Sequence, residues 1–270
     1  GQMALEDSDP AVRLLAVRTL WEYEETRLIQ VFLELIQKEQ DRDVRAAAAT
    51  ALSRFVYAGE IDEIPPARLK TIEETLFKLA GEGETDQVRR AALESLGFSS
   101  REEVVPLIEK AFSSNDKNWK ASALLAMGRS ANQAWKPSVM SMLESPIPIL
   151  RAEAARAAGE LEITEAVPFL LELLDDPDED ARLASIWSLS QIGGEDVREV
   201  LEGLYVENDD EDELDFIESA LENLTFTEGV KFMPFFDFPD ELQSETDEDQ
   251  WYSDLEELDD LLDDEEDRSD

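Results

Sequence analysis

The chain has 270 residues, 43% of them hydrophobic, and sets 66 acidic residues against 24 basic ones for a formal net charge of −42. It holds no cysteine and no histidine, which removes disulfides, thiolate chemistry, Cys-based metal sites, and both the commonest general base and the commonest metal ligand. No run of 18 apolar residues occurs, so no transmembrane helix is expected; the acidity opposes binding to nucleic acid or anionic membranes and favours basic partners.

Residues 1–9 are short and acidic, unlike a secretory signal, and a cytoplasmic location is expected. Residues 10–23 read as the second helix of a helical pair with no first helix before it; it either continues a longer array or caps this one. Leu28, Val31, Phe32, Leu35 and Ile36 then fall at helical spacing and predict a helix over 26–38. Asp41 and Asp43 sit where helix caps and first-turn anions belong, and Val44, Ala48, Ala51, Leu52 and Phe55 predict a helix over 44–55 whose alanines allow close approach.

The pairing of an acidic loop with an apolar residue, a base and an Ala/Leu-rich helix then returns along the chain. It begins at Val12-Arg13, Val44-Arg45, Val88-Arg89, Trp119-Lys120, Leu150-Arg151 and Ala181-Arg182, and in degenerate form at Leu214-Asp215. First helices are predicted at 67–80, 104–112, 136–143, 166–174 and 197–205, with Pro106, Pro137 and Pro168 near the starts of three of them, where the first-turn amides lack partners. Gly97, Gly128, Gly159 and Gly193 fall near the ends of second helices, at stops or close crossings. Residues 56–66 form an insertion expected to lengthen one loop. Fixed periods of this size mean stacked helical hairpins, each burying its apolar face against its neighbours. The expected fold is all-α, a solenoid of six to seven hairpins over residues 1–226.

The motifs Asp43-Val44-Arg45 with Ala48 and Ala51-Leu52, and Asp180-Ala181-Arg182 with Leu189 and Ile192-Gly193, resemble the short HEAT-like repeats of bacterial proteins related to phycobilin lyases. The resemblance implies that second helices line a concave face. It also implies that Arg13, Arg45, Arg89, Lys120, Arg151 and Arg182 pair with an aspartate of a neighbouring loop.

Residues 227–270 carry 19 acids and two bases, Lys231 and Arg268. Such a tail is expected to be largely disordered or docked as a short segment. Its aromatics Phe235, Phe236 and Phe238, and the stripe of Trp251, Tyr252, Leu255, Leu258 and Leu262, are candidate partner contacts.

No catalytic constellation, phosphate loop or cofactor motif is found. The oxygen-rich stretch Asn208 to Asp215 lacks the glycine and terminal glutamate of a calcium loop and suggests weak cation binding at most. Charge is the useful asymmetry. Twelve-residue windows at the six second helices that keep the base hold eleven bases and four acids, in a protein otherwise strongly negative. Beyond the motif positions this leaves Arg18, Arg54, Arg90, Arg129 and Arg156, with Leu125 and Trp187, as candidate partner-binding residues on a cationic concave face. The function expected is a noncatalytic scaffold that binds a protein or peptide segment, with the tail docking on its own groove or on a partner. An acidic chaperone or nucleic-acid mimic for a basic client is the alternative from charge; a chromophore lyase is the alternative from resemblance. No cofactor, nucleic acid or membrane is expected.

Overall fold

The computed structural model describes residues 5–231 apart from Glu22, Glu24 and Glu195. The chain divides into two units, Gly1–Glu228 and Gly229–Asp270, and the repeats belong to the first. The described residues are helical, joined by short turns, and contain no strand.

Second helices are α1 (Pro10–Leu20), α3 (Arg42–Ala51), α6 (Asp86–Leu96), α8 (Lys117–Arg129), α10 (Pro148–Glu160), α12 (Glu179–Ile192) and α14 (Glu211–Lys231). The first helices between them are α2 (Arg27–Lys38), α5 (Pro66–Ala80), α7 (Val104–Phe112), α9 (Lys136–Met140), α11 (Val167–Leu173) and α13 (Val197–Glu207). Three-residue 3-10 turns, Gln133–Trp135 and Thr164–Ala166, lead into α9 and α11. The insertion is not the loop its sequence suggests. After a break at Leu52 the chain continues as α4, Ser53–Glu60, because Phe55, Val56 and Gly59 can be buried there.

A repeated turn starts the second helices. Asp9, Asp41, Asp116 and Asp178 cap α1, α3, α8 and α12 through side-chain oxygens, and Thr85 caps α6. Each cap satisfies first-turn amides that a helix cannot. Two residues earlier, Asp7, Glu39, Ser114, Ser145, Asp176 and Asn208 accept from the amide two positions on. Asp210 accepts from the Glu213 amide as Asp178 accepts from that of Ala181. The motif position of the last copy is therefore Leu214, whose amide donates to the Asp210 carbonyl, and not Asp215.

Consecutive second helices from α1 to α12 pack directly on one another, whereas first helices scarcely touch their successors. Alanine makes this possible: Ala48, Ala92, Ala123 and Ala154 are fully buried at equivalent positions. Glycine completes it. A Cβ on Gly97 would lie 2.8 Å from Ala126 Cα, one on Gly128 would lie 3.0 Å from Ala157 Cα, and one on Gly159 would lie 2.8 Å from Ser188 Cβ. The fourth member of this series is Ser190, not Gly193: Ser190 Oγ accepts from Asn223 Nδ2 at 3.0 Å, so a side-chain contact replaces backbone approach. Gly193 instead ends α12 at φ 68°, a left-handed conformation suited to glycine. Leu76, Leu124 and Leu170, all fully buried, fill the layer between first and second helices, each contributing roughly 1.5–3 kcal/mol.

Candidate functional site

The motif bases point into the inter-repeat loops. Arg13 Nε and Nη2 donate to Glu39 at 2.7 and 2.9 Å; Arg151 Nε and Nη2 donate to Asp176 at 2.6 and 2.7 Å. Arg45 pairs with Glu84, and Arg182 Nε lies 3.6 Å from Glu213. Each of these bases also donates to a backbone carbonyl six residues earlier: Asp7, Glu39, Ser145 or Asp176. The acceptor is thus glutamate in three of four rungs rather than the aspartate implied by resemblance. Two rungs depart altogether. Arg89 pairs with Asp86 of its own helix and lies over the Trp119 ring, and Lys120 lies over Phe112. The reason is in the turn: the slot holding Glu39 and Asp176 holds Ser114 and Ser145 in the repeats facing Arg89 and Lys120. Both acidic rungs depress their carboxyls, Glu39 through the hydrogen bond from Arg13 and Asp176 through that from Arg151.

The remaining candidates share the other face of the second helices. Alignment on the caps places Arg18, Leu125, Arg156 and Trp187 in one row with Thr50 and Glu94. A neighbouring row, one helical turn on, holds Arg54, Phe98, Arg129 and Glu160; a third holds Leu14, Ala46 and Arg90. Arg54 donates to the Trp21 carbonyl and lies 6.0 Å from the centroid of that ring. Leu125 is half-buried. Trp187, 37% exposed, packs against Phe216 with ring centroids 6.2 Å apart.

This face is not the uniformly cationic wall that the charge count suggests. Arg129 Nη1 donates to the Glu94 carbonyl at 2.8 Å and its guanidinium lies over Phe98 at 4.9 Å. Arg156 Nη1 donates to Glu153 Oε1 at 2.5 Å, and Ser122 Oγ to Glu94 Oε1 at 2.5 Å. Glu94, Glu153 and Glu160 therefore collect around Arg129 and Arg156, three carboxylates to two guanidiniums. Burial pushes the carboxyls of Glu153 and Glu160 up and the Arg129 guanidinium down. Solvent still reaches Glu160, but its carboxylate oxygen Oε2 lies over Gly128, where an added Cβ would meet it at 2.6 Å. Glu153 Oε2 is buried without a hydrogen bond. A summed charge hides this cluster; its trace in the sequence is the opposite signs of Arg129 and Glu160 at one repeat's spacing.

Toward the N-terminal end the face opens into a cavity of ≈ 670 Å³ bordered by α1, α3 and α6. Leu14, Arg18, Trp21, Ala46 and Arg90 line it, and so do Asp43 and Glu94. Trp21 is 48% exposed. Neither Arg18 nor Arg90 has an ion-pair partner among the described residues. Here a partially desolvated cation would sit beside apolar surface, an arrangement that suits a carboxylate-bearing segment better than a small metabolite.

The tail candidates Phe235, Phe236, Phe238, Trp251, Tyr252, Leu255, Leu258 and Leu262 lie outside the described residues. Within those described, no group of acidic side chains could hold a metal, and Asn208 and Asp210 accept from backbone amides in the turn before α14. No helix among them is long and apolar enough to cross a membrane.

Comparison with solved structures places the fold. The complex of CpcE and CpcF of phycocyanin lyase from Nostoc sp. PCC7120 matches with a TM-score of 0.54 at 20% identity, covering 82% of this chain and 92% of that one. Importin beta matches at 0.48 and 15% identity, over 83% of this chain and 35% of that one. The Escherichia coli protein YibA matches at 0.47 and 18%, over 83% and 90%. At 20% identity the likeness to the lyase complex extends to the fold alone. No curated protein matches the sequence. The family model for HEAT repeats matches residues 1–69 and 136–222, and with the ladder of caps, bases and close-packed second helices this makes the chain a member of the HEAT-repeat family.

Proposed function

We propose that the chain is a noncatalytic interaction scaffold that binds a segment of another protein along the face of its second helices. The cavity bordered by three successive second helices carries this reading. It places apolar side chains, a half-exposed tryptophan and two arginines on one continuous surface, the combination that anchors protein partners. The acidic tail has the opposite charge to Arg18 and Arg90 and carries its own aromatics; as a tethered competitor it would raise the threshold for other ligands.

Panning a random peptide display library against the full chain tests the reading. Selected peptides should bind the wild-type protein and fail to bind Leu125→Glu, which places a charge in the middle of the face. Recovery of no peptide, or of peptides indifferent to Leu125→Glu, would contradict it. Replacing Phe235, Phe236 and Phe238 with alanine in the full chain should tighten binding of the selected peptides if the tail competes; unchanged affinity would rule the tail out as a competitor.

A further inference from the structure

The face divides along its length. At α1, α3 and α6 it offers Arg18 and Arg90 beside Leu14, Val17 and Trp21. Toward α8 and α10 the Glu94 carboxylate, held by Ser122 of α8, joins Glu153 and Glu160, three carboxylates against the two guanidiniums of Arg129 and Arg156. A uniformly acidic ligand would gain at the first region and be repelled at the second. A uniformly basic one would meet the reverse. The first region also has limited capacity for anions, because Asp43 and Glu94 line it together with the two arginines.

We propose, resting on the scaffold reading, that the cavity between α1, α3 and α6 seats an acidic residue flanked by an apolar one. The bound segment is then neutral or basic where it continues across α8 and α10. The carboxylate meets the guanidiniums of Arg18 and Arg90 as charge-assisted hydrogen bonds. The apolar neighbour covers Leu14 and the exposed part of Trp21. Ala46 forms a low floor between them. From α6 to α10 is two helix-packing steps, roughly 16–20 Å, and Glu160 stands about two helical turns further along than Arg90, about 12 Å, an offset that an extended chain covers in about six or seven residues. A lysine at that distance from the carboxylate reaches the exposed Glu160. Opposite signs at the two ends fix which way the segment runs, a form of specificity that area alone does not supply.

Calorimetric titration of synthetic peptides against the full chain tests this. One peptide carries Asp-Leu in a Gly/Ser background, a second carries Asn-Leu, and each is extended on either side with lysines or with glutamates. The Asp peptide should bind about tenfold tighter than the Asn peptide. That ratio should collapse to about one in the Arg18→Gln/Arg90→Gln variant, whose thermal melt should match wild type because neither arginine has an ion-pair partner among the described residues. A lysine extension on one side only should strengthen binding, and Glu160→Gln should remove that gain while leaving the Asp-to-Asn ratio intact. Equal affinity for Asp and Asn peptides, or equal gain from lysine and glutamate extensions, would overturn the proposal. If display peptides respond to Leu125→Glu yet neither carry an acidic residue nor respond to Arg90→Gln, this proposal fails and the scaffold reading stands. If no peptide binds the face, both fail.

Discussion

Arg151 on α10 and Asp176 in the turn before α12 face each other through two parallel hydrogen bonds of 2.6 and 2.7 Å, with side chains only 13% and 7% exposed. Asp176 also accepts from the Asp178 amide, and its carbonyl receives Arg182. One carboxylate thus joins a loop, its own helix start and two repeats. Removing either partner leaves a charge with little solvent, which costs about 3–5 kcal/mol. Asp176→Ala and Arg151→Ala should each lower the unfolding free energy by that order, and the double variant by much less than the sum. A denaturant melt of all three proteins gives the coupling directly.

The missing rungs make a converse prediction. Ser114 and Ser145 occupy the slot that Glu39 and Asp176 fill elsewhere, so Arg89 and Lys120 lack the acid of the next turn. Ser145→Asp should keep the turn and supply a partner for Lys120, raising stability by about 0.5–1 kcal/mol and the melting temperature by about 1–4 °C. Ser145→Ala removes the turn hydrogen bond and should lower it. Differential scanning calorimetry of the pair distinguishes the two effects.

Glycines in helices of this chain differ in what they do. Gly97→Ala would force a Cβ to 2.8 Å from Ala126 Cα and 3.0 Å from its carbonyl oxygen, backbone atoms that cannot rotate away. A loss of about 1–3 kcal/mol is expected. Gly203 sits in α13 with nothing within 4 Å of its added carbon, so Gly203→Ala should stabilise by about 0.5–1 kcal/mol. Opposite shifts in chemical denaturation midpoints, from one substitution type, check the argument.

Much of the fold is legible in the sequence because the repeated groups act locally. A cap, a turn acceptor and a base six residues after it satisfy one another within one loop, so Asp41 and Arg45, or Asp178 and Arg182, can be read from spacing. What is not legible depends on the neighbouring repeat. Residues 56–60 read as a loop because an insertion breaks the period, although their apolar side chains can be buried as helix α4. The last motif reads one residue late because Leu214 carries no base to mark it. Gly193 groups by spacing with Gly97, Gly128 and Gly159, yet Ser190 stands at their position. The cluster of Glu94, Arg129, Glu153, Arg156 and Glu160 exists only when three helices lie side by side, and a summed charge conceals it.

The titration behaviour follows from two opposed sets of carboxyls. Glu39 and Asp176 are held below their ordinary values of 4.5 and 3.8, chiefly by hydrogen bonds from Arg13 and Arg151. Their stabilisation is complete above those values and is lost as pH falls through the depressed ones. Glu73, Glu153 and Glu160 are held above 4.5, first of all by burial. The folded state therefore binds more protons than the unfolded chain, and stability rises as pH falls from neutrality toward 4.5. Relief of the −42 net charge adds in the same direction. Melting temperature should pass through a maximum between about 4.5 and neutrality, and Glu73→Gln should flatten the neutral side of that curve.

Amide hydrogen exchange on the full chain, with and without a bound peptide selected on it, locates the binding face. Added protection should fall on α1, α3, α6, α8 and α10, strongest beside Arg18, Trp21 and Arg90, and leave α2, α5 and α7 as they were. Protection concentrated on those first helices, or none on the second helices, would mean that the second-helix face is not the binding surface.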